Sequence, residues 1–178
     1  MPRLFIAIDL PEAIRESLRH MTSPLARVRP VPVEQLHLTL KFIGEIDGTL
    51  ALDVRDALPA VALAPFTMQL KGCGVFPPRG NPRVLWLGVH PLTEVTLLSK
   101  RIESTLVRIQ APKEKRKFSP HITLARLPGN PVRFLPEFLA ANNLFCSPAF
   151  TVDSFTLYSS KLTPKGAIHT PLARYPLA

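Results

Sequence analysis

The sequence predicts an α+β fold in which two similar halves form one bilobal unit with pseudo-twofold symmetry. Short strand-like runs alternate with helical patterns, and twenty prolines divide the chain into short elements. The order of elements repeats, because the spacing from His37 to Phe66 and the spacing from His121 to Phe150 are both 29 residues. This equality favours an internal duplication.

The first half reads as β-α-β-α-β. Residues 4–8 form an apolar run typical of a strand, and Pro11 opens a helical pattern that Pro24 is expected to end or kink. The apolar side of this helix consists of Ile14, Leu18, Met21 and Leu25. Residues 36–42 alternate between apolar and polar, as in a half-buried strand. A helix is predicted from near Asp47 to Pro59, and residues 66–76 form the next predicted strand.

A proline- and glycine-rich segment, 76–83, is the predicted connection between the halves. The elements after it are strands at 84–89, 121–125 and 150–157, helices at about 92–110 and 134–141, and a terminal strand at 167–175. We therefore expect one domain over residues 1–178, with lobes at about 1–76 and 84–178 and a terminal strand able to cross over.

Composition excludes disorder and favours an anionic partner. Hydrophobic residues make up 46% of the chain, and 22 Lys and Arg against 13 Asp and Glu give a net charge of +9. Charge alone leaves nucleic acid, acidic protein and membrane surface open. The apolar stretch 57–70 contains two prolines and is too short to span a membrane, so a soluble, cytoplasmic protein with two reduced cysteines is expected.

The middle strand of each half carries the residues suited to chemistry. His37 with Thr39, and His121 with Thr123, lie two residues apart, so each pair shares one face of its strand. Aliphatic residues between and after them face the opposite side. A third His with Thr two residues on, His20, lies in a helical pattern that does not align the two side chains.

Two such pairs across a cleft suit acid-base chemistry at phosphorus. One neutral imidazole can deprotonate water while a protonated one donates to the leaving oxygen, and hydroxyls can bind the phosphoryl oxygens. Two histidines without a nearby Cys, Asp or Glu are poor metal ligands, so no metal and no cofactor are expected.

Three segments carry a family resemblance: LFIAIDLP at 4–11, HLTLKFIGE at 37–45 and FSPHITLAR at 118–126. They closely resemble the bacterial and archaeal RNA 2′,3′-cyclic phosphodiesterases, also called 2′-5′ RNA ligases, of the two-histidine phosphoesterase superfamily. The resemblance implies two antiparallel sheets that form a concave cleft, with helices on the outer faces. It also implies metal-independent opening of a terminal RNA 2′,3′-cyclic phosphate to a 2′-phosphomonoester, with weak reverse 2′-5′ ligation.

Carried onto this sequence, the resemblance makes His37 the general acid and His121 the general base. Thr39, Thr123 and Arg126 would bind the phosphate. Arg126 lies five residues after His121, so it reaches the same face only if the strand ends or bulges after Leu124, or if its side chain curls around the strand edge. Strict alternation in the first motif places Lys41 on the face of His37 and Phe42 in the core.

Other features are weaker. The basic run at 113–117 is placed to follow an RNA backbone, with a solvated loop as the alternative. Trp86 and Tyr158 are candidates for stacking on a base, but the sequence favours a place in the core or on the surface for each. His90 and His169 match no motif. The expected partner is an RNA end bearing a cyclic phosphate, with no membrane, no obligate protein partner and a monomeric state. The alternatives are a phosphodiesterase for small cyclic nucleotides and an RNA-end-binding module without turnover.

Overall fold

The computed structural model describes residues 1–178 and contains nine strands and four helices. The strands are β1 Arg3–Asp9, β2 Arg29–Pro30, β3 His37–Glu45, β4 Phe66–Phe76, β5 Val84–His90, β6 Ile122–Arg126, β7 Phe150–Val152, β8 Ser154–Thr163 and β9 Gly166–Pro176. The helices are α1 Glu12–Ser17, α2 Gly48–Ala57, α3 Leu92–Arg108 and α4 Leu135–Asn142.

The strands pair antiparallel in the order β7-β4-β5-β6-β3-β1-β8-β9, with β2 added to β6. The two motif strands, β3 and β6, meet in the middle of this path through one residue pair, Leu38 with Ile122. A four-stranded antiparallel sheet therefore extends to each side of this junction. The predicted α+β class is confirmed.

The two halves of the chain exchange strands. From the first half, β4 pairs with β5 and β7, whereas β8 and β9, late in the chain, join the sheet of β1 and β3. The sheets therefore do not coincide with the predicted lobes at 1–76 and 84–178, because β4 crosses as well as the terminal strands. We propose that each four-stranded sheet forms one lobe of a single bilobal domain.

Most element positions agree with the sequence pattern. The strand predicted at 66–76 has those bounds, and α2 begins where expected because the Asp47 side chain accepts a hydrogen bond of 2.9 Å from the Leu50 amide. The strand predicted at 150–157 is instead two strands, β7 and β8, which separate at Asp153 and pair in different sheets. The two-residue strand β2 was not predicted.

Helix α1 is shorter than its apolar pattern predicts. It ends at Ser17, whose hydroxyl donates to the Ile14 carbonyl, and the chain continues in tight turns toward Pro24. Successive hydrogen bonds from residue i to residue i−3 join Leu18, Met21 and Leu25 to this region. Leu18 and Leu25 stay buried because such turns keep residues three or four apart on one side.

The core lies between the sheets and the helices. Along β1, Leu4, Ile6 and Ile8 face it, each at most 1% exposed, and α3 contributes Val95, Leu98, Ile102 and Leu106 at helical spacing. No helix has the length and apolar character needed to cross a membrane. Both cysteines are free thiols.

A buried cation ties β3 to α3. The Lys41 side chain is 2% exposed, forms an ion pair with Glu103, and donates a 2.9 Å hydrogen bond to the Pro112 carbonyl. Glu103 also accepts from the Glu114 amide. The prediction that Lys41 faces the cleft was therefore wrong. The ion pair instead fixes the start of the basic segment 113–117 against the back of β3.

Removing Glu103 is expected to destabilise the fold more than removing Lys41. Glu103→Leu leaves a buried ammonium without its carboxylate and should lower the free energy of unfolding by about 3 kcal/mol. Lys41→Met should have a smaller effect, because the Glu103 side chain is 31% exposed and can be hydrated. The double variant should recover most of the loss, which urea denaturation would measure. Additive losses in the double variant would contradict this account.

Candidate active site

Both motif histidines are held by the same local contact. Nδ1 of His37 lies 2.6 Å from the Gln35 carbonyl oxygen, and Nδ1 of His121 lies 2.7 Å from the Ser119 carbonyl oxygen. Because a carbonyl oxygen only accepts, Nδ1 carries a proton in both rings. Nε2 is therefore the nitrogen that can exchange a proton with a substrate in each case.

The junction of the two sheets brings the motifs together. Leu38 and Ile122 are both fully buried, and each directly follows a motif histidine. Extending their register by one residue places His37 opposite Thr123 and Thr39 opposite His121. Thr39 Oγ1 also lies 3.1 Å from His37 Nε2. The four predicted motif residues are thus half-buried on one face of the sheet, around one point.

Each motif strand has a β-bulge one residue after its threonine. Ala7 and Ile6 pair with Thr39 and Lys41, so Leu40 is the extra residue in β3. In β6 the extra residue is Leu124, because Trp86 and Leu85 pair with Thr123 and Ala125. Groups from outside the paired strands satisfy both bulge carbonyls: Ser99 Oγ donates to Leu40 O at 3.0 Å, and the Val31 amide donates to Leu124 O at 2.8 Å.

The bulges reverse the alternation beyond the threonines. Lys41 and Ala125 turn into the core, whereas Phe42 and Arg126 return to the face of the histidines. Phe42 is 54% exposed, so its predicted place in the core was wrong. For Arg126 the bulge is the alternative that occurs, and its side chain is exposed beyond Thr123. The equivalent fifth position thus holds an aromatic ring in one half and a cation in the other.

An aromatic cluster surrounds His37. Its centre is Phe5, which is 2% exposed and whose ring centroid lies 5.0 Å from that of His37, 5.2 Å from Tyr158 and 4.8 Å from His169. The centroids of His169 and His37 are 5.5 Å apart. Since Phe42 is also within the range of ring contact with Phe5, at 5.8 Å, five rings line this side of the cleft.

Burial sets the protonation of this side. It lowers the pKa of His37, and the neighbouring His121 lowers it further, whereas the Gln35 carbonyl and the Asp9 carboxylate oppose the shift. Burial also lowers the pKa of His169, with His37 and Arg3 adding to the effect. Asp9 accepts hydrogen bonds from Thr156 Oγ1, at 2.7 Å, and from the Tyr158 hydroxyl, whose pKa burial and Asp9 raise.

The His121 side has a different lining. The Phe76 ring packs edge-on to His121 with centroids 5.0 Å apart, and Trp86 packs on Phe76 at 5.2 Å. Trp86 pairs with Gly74, where a Cβ atom would lie 2.3 Å from the indole ring, so only glycine leaves room for it. Trp86 and Tyr158 are both half-buried, Trp86 on the strand next to β6 and Tyr158 on β8, which β1 separates from β3.

Several residues on this face were not predicted. His169 matches no motif, and its place becomes visible only through the pairing of Ser160 with His169 two residues beyond Tyr158. Arg29 lies directly opposite Arg126 in the β2–β6 pair. The basic run that was predicted, Lys113, Lys115, Arg116 and Lys117, is exposed. No group of three or more His, Cys, Asp or Glu side chains in the chain is arranged to hold a metal ion.

Comparison with known proteins gives consistent matches. The profile of the 2′-5′ RNA ligase superfamily matches residues 10–163. The RNA 2′,3′-cyclic phosphodiesterase of Archaeoglobus fulgidus is 34% identical over 176 residues, which cover 96% of this chain and 97% of that protein. That of Escherichia coli is 32% identical, over 98% of this chain and 96% of that protein.

Solved structures match the whole fold. Escherichia coli LigT complexed with 3′-AMP superimposes with a TM-score of 0.80 and 30% identity, covering 99% of both chains. A crystal structure described as a phosphoesterase superimposes with a TM-score of 0.83 and 32% identity, covering 99% of this chain and 98% of that one.

The lowered pKa values of His37 and His169 predict an acid-sensitive fold. Both imidazoles have a lower pKa in the folded chain than the ordinary histidine value of about 6.5, so the unfolded chain binds protons more readily. Their contribution to the free energy of unfolding is therefore present above about pH 6.5 and is lost as the pH falls through the pKa values of the folded state. The free energy of unfolding should therefore decrease as the pH is lowered from about 7.5 to 5. Urea denaturation of His169→Phe should give a shallower slope, and the exposed His20→Gln control an unchanged one. A slope that is unchanged in His169→Phe would count against this assignment.

Proposed function

The chain belongs to the 2′-5′ RNA ligase superfamily, and on that premise we propose that it hydrolyses the terminal 2′,3′-cyclic phosphate of RNA to a 2′-phosphomonoester, without a metal or cofactor. The observation that supports this most directly is the matched tethering of His37 and His121, which leaves Nε2 of both rings for proton transfer on one face. Relatives over nearly the whole chain are named for this activity.

In the proposed reaction a water molecule attacks phosphorus and the bond from phosphorus to the ribose 3′ oxygen breaks. Nε2 of His121 takes a proton from the water, and Nε2–H of His37 gives one to the departing 3′ oxygen. The products are a 2′-phosphate and a free 3′ hydroxyl, so one water is consumed. With a ribose 5′ hydroxyl in place of water, the same step would form a 2′-5′ linkage, with His121 taking the proton of the 5′ hydroxyl and His37 again giving one to the 3′ oxygen.

The acid role of His37 requires a proton that burial disfavours. In the free protein its lowered pKa keeps the ring mostly neutral near pH 7. A bound phosphodiester anion beside Nε2 favours the protonated form, so substrate binding itself would charge the acid. Asp9, which opposes the downward shift, supports the same form from the other side.

The remaining residues would bind the phosphoryl group. Thr39 and Thr123 can donate their hydroxyls to the non-bridging oxygens, and Arg126 can add a charge-assisted hydrogen bond where negative charge increases in the transition state. The bulge at Leu124 supports this role for Arg126, because it turns the side chain to the face of His121 and Thr123. The proposed partner is an RNA end, bound by a monomer.

The mechanism predicts that both histidines are indispensable. His37→Ala and His121→Ala should each lower kcat/KM by about 10²–10⁴-fold, because each removes one proton-transfer group. The assay uses an oligoribonucleotide ending in a 2′,3′-cyclic phosphate, with EDTA, and identifies the product as the 2′-phosphate. His20→Ala is the matched control, since His20 has the same spacing to Thr22 but is exposed in a turn.

Full activity in either histidine variant would refute the acid-base mechanism. Tight binding of the oligonucleotide without turnover by the unmodified protein would instead indicate an RNA-end-binding module. Turnover of mononucleoside cyclic phosphates alone would indicate a phosphodiesterase for small cyclic nucleotides.

The pH dependence of kcat/KM should be bell-shaped and should respond to Asp9. The limb that depends on His37 should move to lower pH in Asp9→Asn, because the carboxylate that raises the pKa of His37 is removed. Asp53→Asn, on the exposed side of α2, is the control and should leave both limbs in place. A shift of this limb to higher pH would be evidence against the assigned electrostatic influence of Asp9.

A further inference from the structure

Arg29 and Arg126 form a cross-strand pair of like charges. They are direct partners in the β2–β6 register, and both are exposed. Neither makes a salt bridge or a side-chain hydrogen bond within the chain, since the ion pairs present involve Arg19, Lys41 and Arg174. Directly opposed like charges on adjacent strands destabilise a sheet. This pair is thus unfavourable unless an anion binds to it.

Backbone contacts, not attraction between side chains, hold Arg29 in this place. The Val31 amide donates to the carbonyl of the bulge residue Leu124, which fixes β2 alongside β6. The bulge turns Arg126 toward the face of His121 and Thr123, and directly opposed residues of an antiparallel pair share a face. Arg29 is therefore presented on the same face as the proposed active site.

The position of Arg29 relative to the motif suggests which anion it meets. Arg126 lies on the strand of Thr123, whereas Arg29 lies on the adjacent strand β2, about 4.8 Å away and on the same edge of β6 as β3. The cyclic phosphate carries a single negative charge, which the two histidines, the two threonines and Arg126 already face. A second cation beside Arg126 fits a second phosphate.

We propose that Arg29 binds the phosphodiester that joins the terminal nucleotide to the rest of the RNA. This inference rests on the proposed function and names the substrate class more closely. A chain with this contact favours oligoribonucleotide ends over mononucleoside cyclic phosphates, because only the former carry a second phosphate.

The test compares three substrates ending in a 2′,3′-cyclic phosphate: a mononucleotide, a dinucleotide, and the same dinucleotide with a neutral methylphosphonate linkage. Arg29→Gln should lower kcat/KM about tenfold on the natural dinucleotide, chiefly through KM, and less than twofold on the other two. For the natural dinucleotide, the slope of log kcat/KM against log salt concentration should be shallower by about 0.7 in Arg29→Gln than in the unmodified protein. Arg29→Lys should retain most of the activity.

Arg27→Gln is the matched control, because Arg27 is exposed and lies just outside β2. Equal losses on all three substrates in Arg29→Gln, or no loss on the natural dinucleotide, would overturn the proposal. If the unmodified protein hydrolyses none of the substrates, the proposed function fails while Arg29 stays testable. Binding is then measured by calorimetry. Arg29→Gln should bind the dinucleotide 2′-phosphate product about tenfold more weakly and the mononucleotide 2′-phosphate as well as the unmodified protein does. Unchanged affinity for the dinucleotide product would refute the inference.

Discussion

The pairing of Leu38 with Ile122 is the contact on which the arrangement of the site depends. It is the one residue pair through which β3 and β6 join the two sheets, and both side chains are fully buried. Each motif histidine stands one residue before a member of this pair. A slip of one residue in this register would move one His-Thr pair to the opposite face of the sheet, because side chains alternate along a strand. The packing of two aliphatic residues thus fixes the relation between two polar sites distant in sequence.

The bulges decide what surrounds the motif. An inserted residue leaves a carbonyl without its partner in the ladder, and a donor from elsewhere satisfies it in each sheet: the Ser99 hydroxyl of α3 and the amide of Val31, the residue after β2. In both strands the residue after the bulge is buried and the next one is exposed. In β3 the buried residue is a lysine, which requires Glu103 and the Pro112 carbonyl to compensate its charge. In β6 it is Ala125, which requires nothing. The same backbone device therefore carries different chemistry in the two lobes.

The local sequence pattern was sufficient to predict most of the strands and helices and the His-x-Thr motif. It was insufficient where the pairing of distant strands determines which way a side chain faces. The His-x-Thr strands, the Asp47 cap and the bounds of β4 follow from alternation, capping and punctuation. Lys41 and Phe42 were assigned to the wrong faces because a bulge depends on the partner strand, which the sequence does not identify. The helix predicted to continue past Ser17 fails for a related reason, since tight turns preserve an apolar face without helical hydrogen bonds. Arg29, Phe5 and His169 reach the site through strand pairings with residues far along the chain, and no local pattern marks them.

The contrast between Phe42 and Arg126 has a consequence for binding geometry. A cleft with true twofold symmetry would accept a phosphodiester in two equivalent orientations, of which only one places the departing oxygen next to a given histidine. The exposed Phe42 ring on one side and the Arg126 guanidinium on the other would make these orientations unequal in energy. Under the proposed mechanism, duplication would supply the two proton-transfer groups, and divergence at this one position would select one orientation of the substrate. One imidazole would then always act as the acid and the other always as the base, although the two rings are chemically similar.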